Sequence, residues 1–314
     1  MTHLLCIVGP TASGKSDLAV EVALRWDAEV ISLDASQVYR GFDIGTGKIT
    51  HAEQRGVPHH LLSNVEPDER FDAGVFSKRA DELIDEISAR GKRVVICGGT
   101  GFYLVALLRG LCEAPRVSSE VDAQLKARIE AGEVETLHAE LSEVDPASAA
   151  KIMPRDKQRI QRALGVYLSG GKSLTAWHEE QESSEDRYPA LILGLDPPRE
   201  LLNERIALRV DSMWDQGFLE EVRDLREAGY ESILNSMGAI GYRLALAALE
   251  GDLEERQARE KMLFATRQYA RRQRRFFDRQ LPTQWIEPVK GAVKVSYDDV
   301  ATQIEVWWGE DAGL

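Results

Sequence analysis

At 314 residues, 43% of them hydrophobic and 29% charged, the chain has the composition of a globular protein able to bury one large core or two modest ones. No apolar run approaches the roughly 20 residues that a membrane-spanning helix needs. Three cysteines, Cys6, Cys97 and Cys112, are too few and odd in number for a disulfide or metal framework, and read as thiols of a reducing cytoplasm. A formal net charge of −13 argues against a general nucleic-acid binder.

The first element is a strand-length apolar run, Leu4–Val8. It is too short for a secretory h-region and runs directly into Gly9-Pro10-Thr11-Ala12-Ser13-Gly14-Lys15-Ser16. That is the G-x-x-x-x-G-K-[ST] phosphate loop in its proper context, with a strand before it and a helix signal, Asp17–Trp26, after it. Gly9 and Gly14 let the backbone curl its N–H groups around a polyphosphate, the helix adds its positive end, and Lys15 adds a mobile charge. Ser16 is placed to hold a Mg²⁺ that shares the phosphate oxygens. The loop predicts a di- or triphosphate ligand without saying whose.

Glu29–Leu33 reads as a second strand ending at Asp34, followed by a polar, Gly-rich loop to Lys48. A carboxylate at the end of a strand beside a phosphate loop lies where open α/β sheets bind ligands. Asp34 is therefore a candidate base or Mg²⁺ partner, with a turn or N-cap aspartate as the alternative. His59 and His60 read as a hydrogen-bonding pair in a loop, because adjacent side chains on extended backbone point to opposite sides and do not share a metal. Asp72–Arg90 is amphipathic and helical, Arg93–Cys97 is a third strand, and Gly98-Gly99-Thr100-Gly101 turns into a helix at Phe102–Leu108. Three strand–loop–helix units predict an α/β fold, a phosphate-loop-type parallel sheet with helices on both faces.

From about Glu113 the pattern changes to short helices without a strand, and Ser183-Ser184-Glu185-Asp186 forms a polar joint before the strand Ala190–Leu195. The chain is thus divided into a core of residues 1–113 and 188–314 and a helical insertion of residues 114–187. In the insertion Gln158, Arg159 and Arg162 share a helix face, open either to ion pairing with nearby acids or to phosphate and base contact. Glu200–Ala228 reads as one long helix carrying Arg205 and Arg209 one turn apart. Ser236–Tyr242 is a Gly-rich loop, and helices follow at Arg243–Glu250 and Glu254–Arg279. Residues 267–279 hold six arginines against one aspartate, interleaved with Tyr269, Phe276 and Phe277. So many like charges on one edge repel unless an anionic partner meets them.

In this order the motifs resemble the tRNA dimethylallyltransferases, the isopentenyl transferases that modify adenosine beside the anticodon. The resemblance rests on the phosphate loop, on Asp34-x-x-Gln37-Val38-Tyr39-Arg40 with Ile44-Gly45-Thr46-x-Lys48, and on Gly98-Gly99-Thr100-Gly101-x-Tyr103. It continues through Asp156-x-Gln158-Arg159-x-x-Arg162-Ala163-Leu164 and Thr266-Arg267-Gln268-Tyr269-Ala270-x-Arg272-Gln273. His59-His60-Leu61 and Gly241-Tyr242 fit as well, so the likeness runs from about residue 4 to 280.

The resemblance implies transfer of a dimethylallyl group from dimethylallyl diphosphate to the exocyclic N6 amine of the adenosine 3′ to the anticodon in tRNA, with Mg²⁺ as cofactor. The loop Gly9–Ser16 and Arg209, on an R-x-x-x-M pattern ending at Met213, would hold the departing diphosphate. Thr11 would donate to its oxygens, and Asp34 would take the proton from the amine. The base would be flipped into the pocket. Asp34, Ala35, Ser36, Gln37 and Thr100 would contact tRNA, as would Asp122, Gln158, Arg159 and Arg162 in the insertion. Gly241, Tyr242, Arg271, Arg272, Gln273, Arg274 and Arg275 would complete that surface. The pattern departs from the family at Ala35, where serine is usual, at Val121-Asp122, where an arginine is common, and at Phe276 or Phe277, which replace a tryptophan. The partners expected are the tRNA anticodon stem-loop and dimethylallyl diphosphate, with no membrane, and the chain is expected to be a cytoplasmic monomer.

Three rivals share parts of this pattern. A prenyltransferase acting on free AMP or ATP would not need the insertion or the arginine-rich helix. A small-molecule kinase would use the same loop with ATP. A nucleotide-dependent RNA-binding switch would leave Asp34 without a task.

Overall fold

The structure is a computed structural model and describes residues 2–112, 114–181, 186–236, 238–289, 292 and 294–309. Its strands are β1 (Leu4–Val8), β2 (Ala28–Leu33), β3 (His59–His60), β4 (Arg93–Gly98), β5 (Ala190–Leu195) and β6 (Gln284–Ile286). All pairings are parallel, in the order β3-β2-β4-β1-β5-β6. Parallel pairing demands crossover connections, which cover both faces of the sheet with helices. Strands β1 and β5 are accordingly apolar along their whole length instead of alternating with polar residues.

Alternate residues of β1 feed two different cores. Leu4, Cys6 and Val8 pack with Phe76, Ile84 and Leu104 of the helices Ala73–Ala89 and Gly101–Arg109. Leu5 and Ile7 pack on the other face with Leu18 and Val22 of the helix Lys15–Trp26 and with Ile304 and Trp308 of the helix Ala301–Gly309. This is the period-2 alternation of a strand buried on both sides. A third core gathers Met213, Trp214, Phe218, Tyr242 and Met262 from the helices that follow β5.

The chain divides into two units, Met1–Leu108 with Arg187–Leu314, and Arg109–Asp186. The second unit starts before the Glu113 boundary read from sequence, and Glu113 and Ser183–Glu185 lie outside the described residues. It contains the helices Ser119–Glu130, Val134–Val144, Pro146–Lys151, Lys157–Gly170 and Leu174–Gln181, with its own core around Leu125, Leu137, Leu141, Ile160 and Leu164.

Two sequence expectations are corrected. His59 and His60 form strand β3 at the sheet edge. His60 Nε2 meets Glu29 Oε2 at 2.7 Å and His59 Nδ1 meets the Val57 carbonyl at 2.9 Å, so the pair is structural. The helix read over 200–228 is two helices, Arg199–Asp215 and Phe218–Glu227, separated at Gly217, whose φ of +99° suits glycine and interrupts the helix.

Candidate active site

The register brings the functional loops to one level. Val8 and Leu33 both pair with Gly98, and Val8 also pairs with Gly194. The residues that follow, Gly9, Asp34 and Gly99, therefore leave the sheet side by side at its carboxyl edge, where α/β sheets take their ligands. The Leu33 carbonyl accepts the N–H groups of both Gly99 and Thr100 at 3.2 Å, fixing the Asp34 loop to the β4 loop.

The phosphate loop has the backbone its sequence requires. Gly9 has φ +142°, and a Cβ there would lie 2.7 Å from the Leu195 carbonyl oxygen; Gly14 caps the next helix in the left-handed region, and Ala12 also has positive φ. Thr11, Ala12, Lys15 and Ser16 line a cavity of about 140 Å³ together with Asp34, Gln37, Gly47 and Arg209. Lys15 Nζ donates to the Pro10 carbonyl at 2.7 Å. Burial pulls its ammonium down to about 8, helped by the Arg209 cation and resisted by Asp34. An incoming anion would reverse that shift. Ser13 does not line the cavity: its buried hydroxyl lies against Gly9 and has no hydrogen-bond partner among the described residues.

Asp34 Oδ1 accepts the backbone N–H groups of Ser36 at 2.8 Å and Gln37 at 3.2 Å. Burial raises its pKa, a trend that these two bonds, Lys15 and Arg209 oppose without cancelling. The result is an oriented carboxylate of raised basicity. It also lines two spaces. A second cavity, of about 420 Å³, is lined by Tyr39, Phe71, Tyr103, Thr100 and Tyr269, and both cavities share Asp34, Ser36, Gly238 and Tyr269.

Two helices supply much of the remaining wall of the smaller cavity, each grading from polar to apolar along its length. On Arg199–Asp215, Arg205 donates to the Ala12 and Ser13 carbonyls at 3.3 Å, Arg209 donates to the Gly47 carbonyl at 2.8 Å, and Met213 lies one turn further. A Cβ on Gly47, whose φ is +59°, would fall inside the Arg209 guanidinium, so glycine is what admits the arginine. On Glu255–Gln280, Gln273, Tyr269, Thr266 and Met262 follow one another along one face. A charged group thus fits at the phosphate-loop end and a small apolar group at the Met213–Met262 end.

The donor set also fits Mg²⁺. Ser16 is exposed on the cavity wall. No group of three His, Cys, Asp or Glu side chains able to hold a metal occurs among the described residues. The ion would take the Ser16 hydroxyl, phosphate oxygens and water, which is how Mg²⁺ is held with phosphates.

Several residues expected at an RNA surface lie elsewhere. Tyr242 is fully buried and donates to Glu221 Oε1 at 2.7 Å. Gly241 (φ +112°) packs against Met262 beneath the cavity. Gln273 is 6% exposed: it accepts the Thr11 N–H at 2.8 Å and donates to the Gly99 carbonyl at 3.0 Å. Arg274 pairs with Asp196 at 2.8 Å and Asp278 at 3.0 Å and stacks 3.5 Å from the Trp285 ring centroid. Arg271, Arg272 and Arg275 are exposed. In the second unit Gln158, Arg159 and Arg162 are exposed on the face away from Ile160, Ala163 and Leu164. Asp122 there accepts from Gln161 Nε2 at 2.7 Å and pairs with Lys126 at 3.2 Å. Gln37 donates to the Thr46 and Gly47 carbonyls at 3.3 and 3.4 Å, and the Thr100 hydroxyl accepts the Ala35 N–H at 3.3 Å. Sequence reasoning left Tyr39, Phe71, Tyr103, Tyr269 and Gly47 without a role at the site. Tyr39, Tyr103 and Tyr269 belong to the motifs that carry the family resemblance, but nothing in their spacing places them on a wall shared with Asp34.

A parallel sheet with a phosphate loop after its central strand and a basic carboxylate at the next strand end defines the class of α/β proteins that act on phosphoryl or diphosphoryl groups. Within that class, residues 37–280 match the IPP transferase family. The chain is 43% identical over 286 residues to the tRNA dimethylallyltransferase of Geobacter metallireducens, covering 91% of this chain and 93% of that one. It is 41% identical to the enzyme of the same name from Geobacter sulfurreducens, covering 96% and 95%. Among solved structures it resembles a tRNA delta(2)-isopentenylpyrophosphate transferase from Staphylococcus epidermidis, with a TM-score of 0.71, 38% identity and coverage of 98% and 99%. It also resembles a eukaryotic dimethylallyltransferase acting on tRNA, with a TM-score of 0.78, 28% identity and coverage of 98% and 78%. The chain belongs to the IPP transferase family.

Proposed function

We propose that this protein transfers the dimethylallyl group of dimethylallyl diphosphate to the N6 amine of the adenosine 3′ to the anticodon in tRNA, as a cytoplasmic monomer. The single observation that carries this reading is the place of Asp34 in the wall shared by a diphosphate-sized, cation-lined cavity and an aromatic one. The diphosphate would lie on the phosphate loop with Lys15, Arg209 and the Ser16-bound Mg²⁺, which supplies charge stabilisation when present. Its five-carbon tail would point toward Met213 and Met262. A flipped adenine would stack among Tyr39, Phe71, Tyr103 and Tyr269. In the reaction the N6–C1 bond forms, the allylic C1–O bond breaks, diphosphate leaves with the bonding electrons, and the amine proton passes to Asp34. Lys15 and Arg209 stabilise the charge that grows on the leaving oxygen.

The exposed Arg271, Arg272 and Arg275 would meet the phosphates of the anticodon stem-loop, and the exposed Gln158, Arg159 and Arg162 face of the second unit would add contacts to the loop. A kinase reading leaves the aromatic cavity unexplained. Mass spectrometry of unmodified tRNA incubated with the protein, Mg²⁺ and dimethylallyl diphosphate tests the assignment. One dimethylallyl addition on that adenosine is the expected result; phosphate transfer from ATP with no prenylation would replace the transferase by a kinase.

A further inference from the structure

The helix Glu255–Gln280 has two kinds of surface within about two turns. Arg271, Arg272 and Arg275 face solvent, while Tyr269 and Gln273, one turn apart, face the site. Gln273 joins two loops. Its Oε1 accepts the N–H of Thr11, in the phosphate loop, at 2.8 Å, and its Nε2 donates to the carbonyl of Gly99, after β4, at 3.0 Å. Only one orientation of the amide satisfies both partners, since a backbone N–H can only donate and a carbonyl can only accept. The fit extends to sterics, because a Cβ on Gly99 would lie inside the Gln273 amide. Tyr269 shares a cavity wall with Thr100 and Asp34, and the Thr100 hydroxyl accepts the N–H of Ala35, next to Asp34. Gln273 therefore ties the phosphate loop to the β4 loop, and the β4 loop in turn holds the loop of Asp34 through the Leu33 carbonyl and the Thr100 hydroxyl.

We infer that Gln273 is a positioning residue through which RNA docking on the outer arginines and diphosphate binding on the phosphate loop favour one another. The inference rests on the transferase reading. Each ligand stabilises the same seated helix, so whichever binds first removes part of the ordering cost of the second, and the coupling must be equal in both directions. Gln273 acts through the two loops that its amide joins, the phosphate loop at Thr11 and the β4 loop at Gly99.

The test uses the full chain, Mg²⁺, inorganic pyrophosphate and an unmodified anticodon stem-loop RNA, with dissociation constants measured by calorimetry. In the wild type, saturating RNA should tighten pyrophosphate by about fivefold or more, and saturating pyrophosphate should tighten RNA equally. Gln273→Met keeps length and loses both hydrogen bonds, and Gly99→Ala displaces the same amide from the other side. Each should reduce the coupling factor to about one, whatever it does to either affinity alone, and the double variant should behave like either single one in that factor. Should Gln273→Met not fold, Gln273→Glu carries the test: it can accept from Thr11 but cannot donate to Gly99, and it too should lose the coupling. Arg272→Gln should weaken RNA binding yet keep the coupling at saturating RNA. A wild type that binds both ligands independently, or a Gln273 variant that keeps the full coupling, overturns the inference alone. A wild type that binds neither ligand overturns the transferase reading and the inference with it.

Discussion

The general-base role proposed for Asp34 rests on its surroundings. Two backbone N–H groups fix its direction, and burial raises its basicity against the pull of Lys15 and Arg209. Asp34→Asn keeps the shape and loses the proton acceptor. The single-turnover rate should fall by about two to four orders of magnitude, while the tRNA dissociation constant changes by less than about tenfold. Excess Mg²⁺ should not restore the rate; a restored rate would make Asp34 a metal partner. Lys15 gives a pH signature. Its ammonium sits at about 8 before an anion binds, and a bound diphosphate raises it, so binding takes up a proton above that pH. Pyrophosphate affinity, corrected for the ligand's own ionisation, should be flat below about pH 8 and then fall by up to tenfold per unit. Lys15→Met should weaken binding and abolish that fall. Calorimetry in buffers of different ionisation enthalpy reads the proton uptake directly.

At the scale of elements, the arginine-rich helix is a mixed structure. Arg271, Arg272 and Arg275 are free to meet phosphates, whereas Arg274 is held between Asp196, Asp278 and the Trp285 ring. The two kinds of arginine should respond differently to glutamine. Replacing Arg271 and Arg275 should reduce the log–log salt slope of tRNA binding by about 0.7 for each single-strand phosphate that is no longer neutralised, with little change in melting temperature. Arg274→Gln should leave the slope nearly unchanged and lower the melting temperature, because it removes a partly buried pair and a cation–π interaction near the end of β5. A flattened slope in Arg274→Gln would move that residue back to the RNA surface. The break at Gly217 belongs to this scale too. It turns Phe218 edge-on to Trp214, ring centroids 5.6 Å apart, and sends Val222 and Leu225 into the core beneath the cavity.

At the scale of the whole molecule, the last described helix returns to the first strand. Trp307 Nε1 donates to the Leu4 carbonyl at 3.2 Å and Trp308 Nε1 to the His3 carbonyl at 3.3 Å. The Trp308 ring is 1% exposed and lies 5.7 Å from that of Trp26. These bonds and rings brace the strand that delivers the phosphate loop. Trp308→Ala should therefore cost about 3–5 kcal/mol in chemical denaturation. It should also weaken pyrophosphate binding although the ring is far along β1 from the loop. Unchanged stability would show that the helix is only laid against the sheet.

What the sequence alone determined was local chemistry. The phosphate loop is a contiguous motif whose glycine spacing has one physical use, and apolar runs separated by amphipathic helices imply a parallel sheet through their order. The insertion was legible because strand signals stop there, and Asp34 because it ends a strand. Tertiary structure decided what depends on residues distant in the chain. The two histidines became a strand only because Glu29 and the edge of β2 lie beside them. A lone glycine can be accommodated inside a helix, so Gly217 announced no break until the Trp214–Phe218 packing required one. The arginine-rich helix looked uniform because charge periodicity does not reveal that Asp196, 78 residues away, faces Arg274. Gln273 read as part of an RNA-binding motif, and only the approach of Thr11 and Gly99, 262 and 174 residues distant, turns its amide into a strut of the phosphate site. Hydrogen-bond partners across such separations are set by strand register and helix packing, which local pattern does not encode.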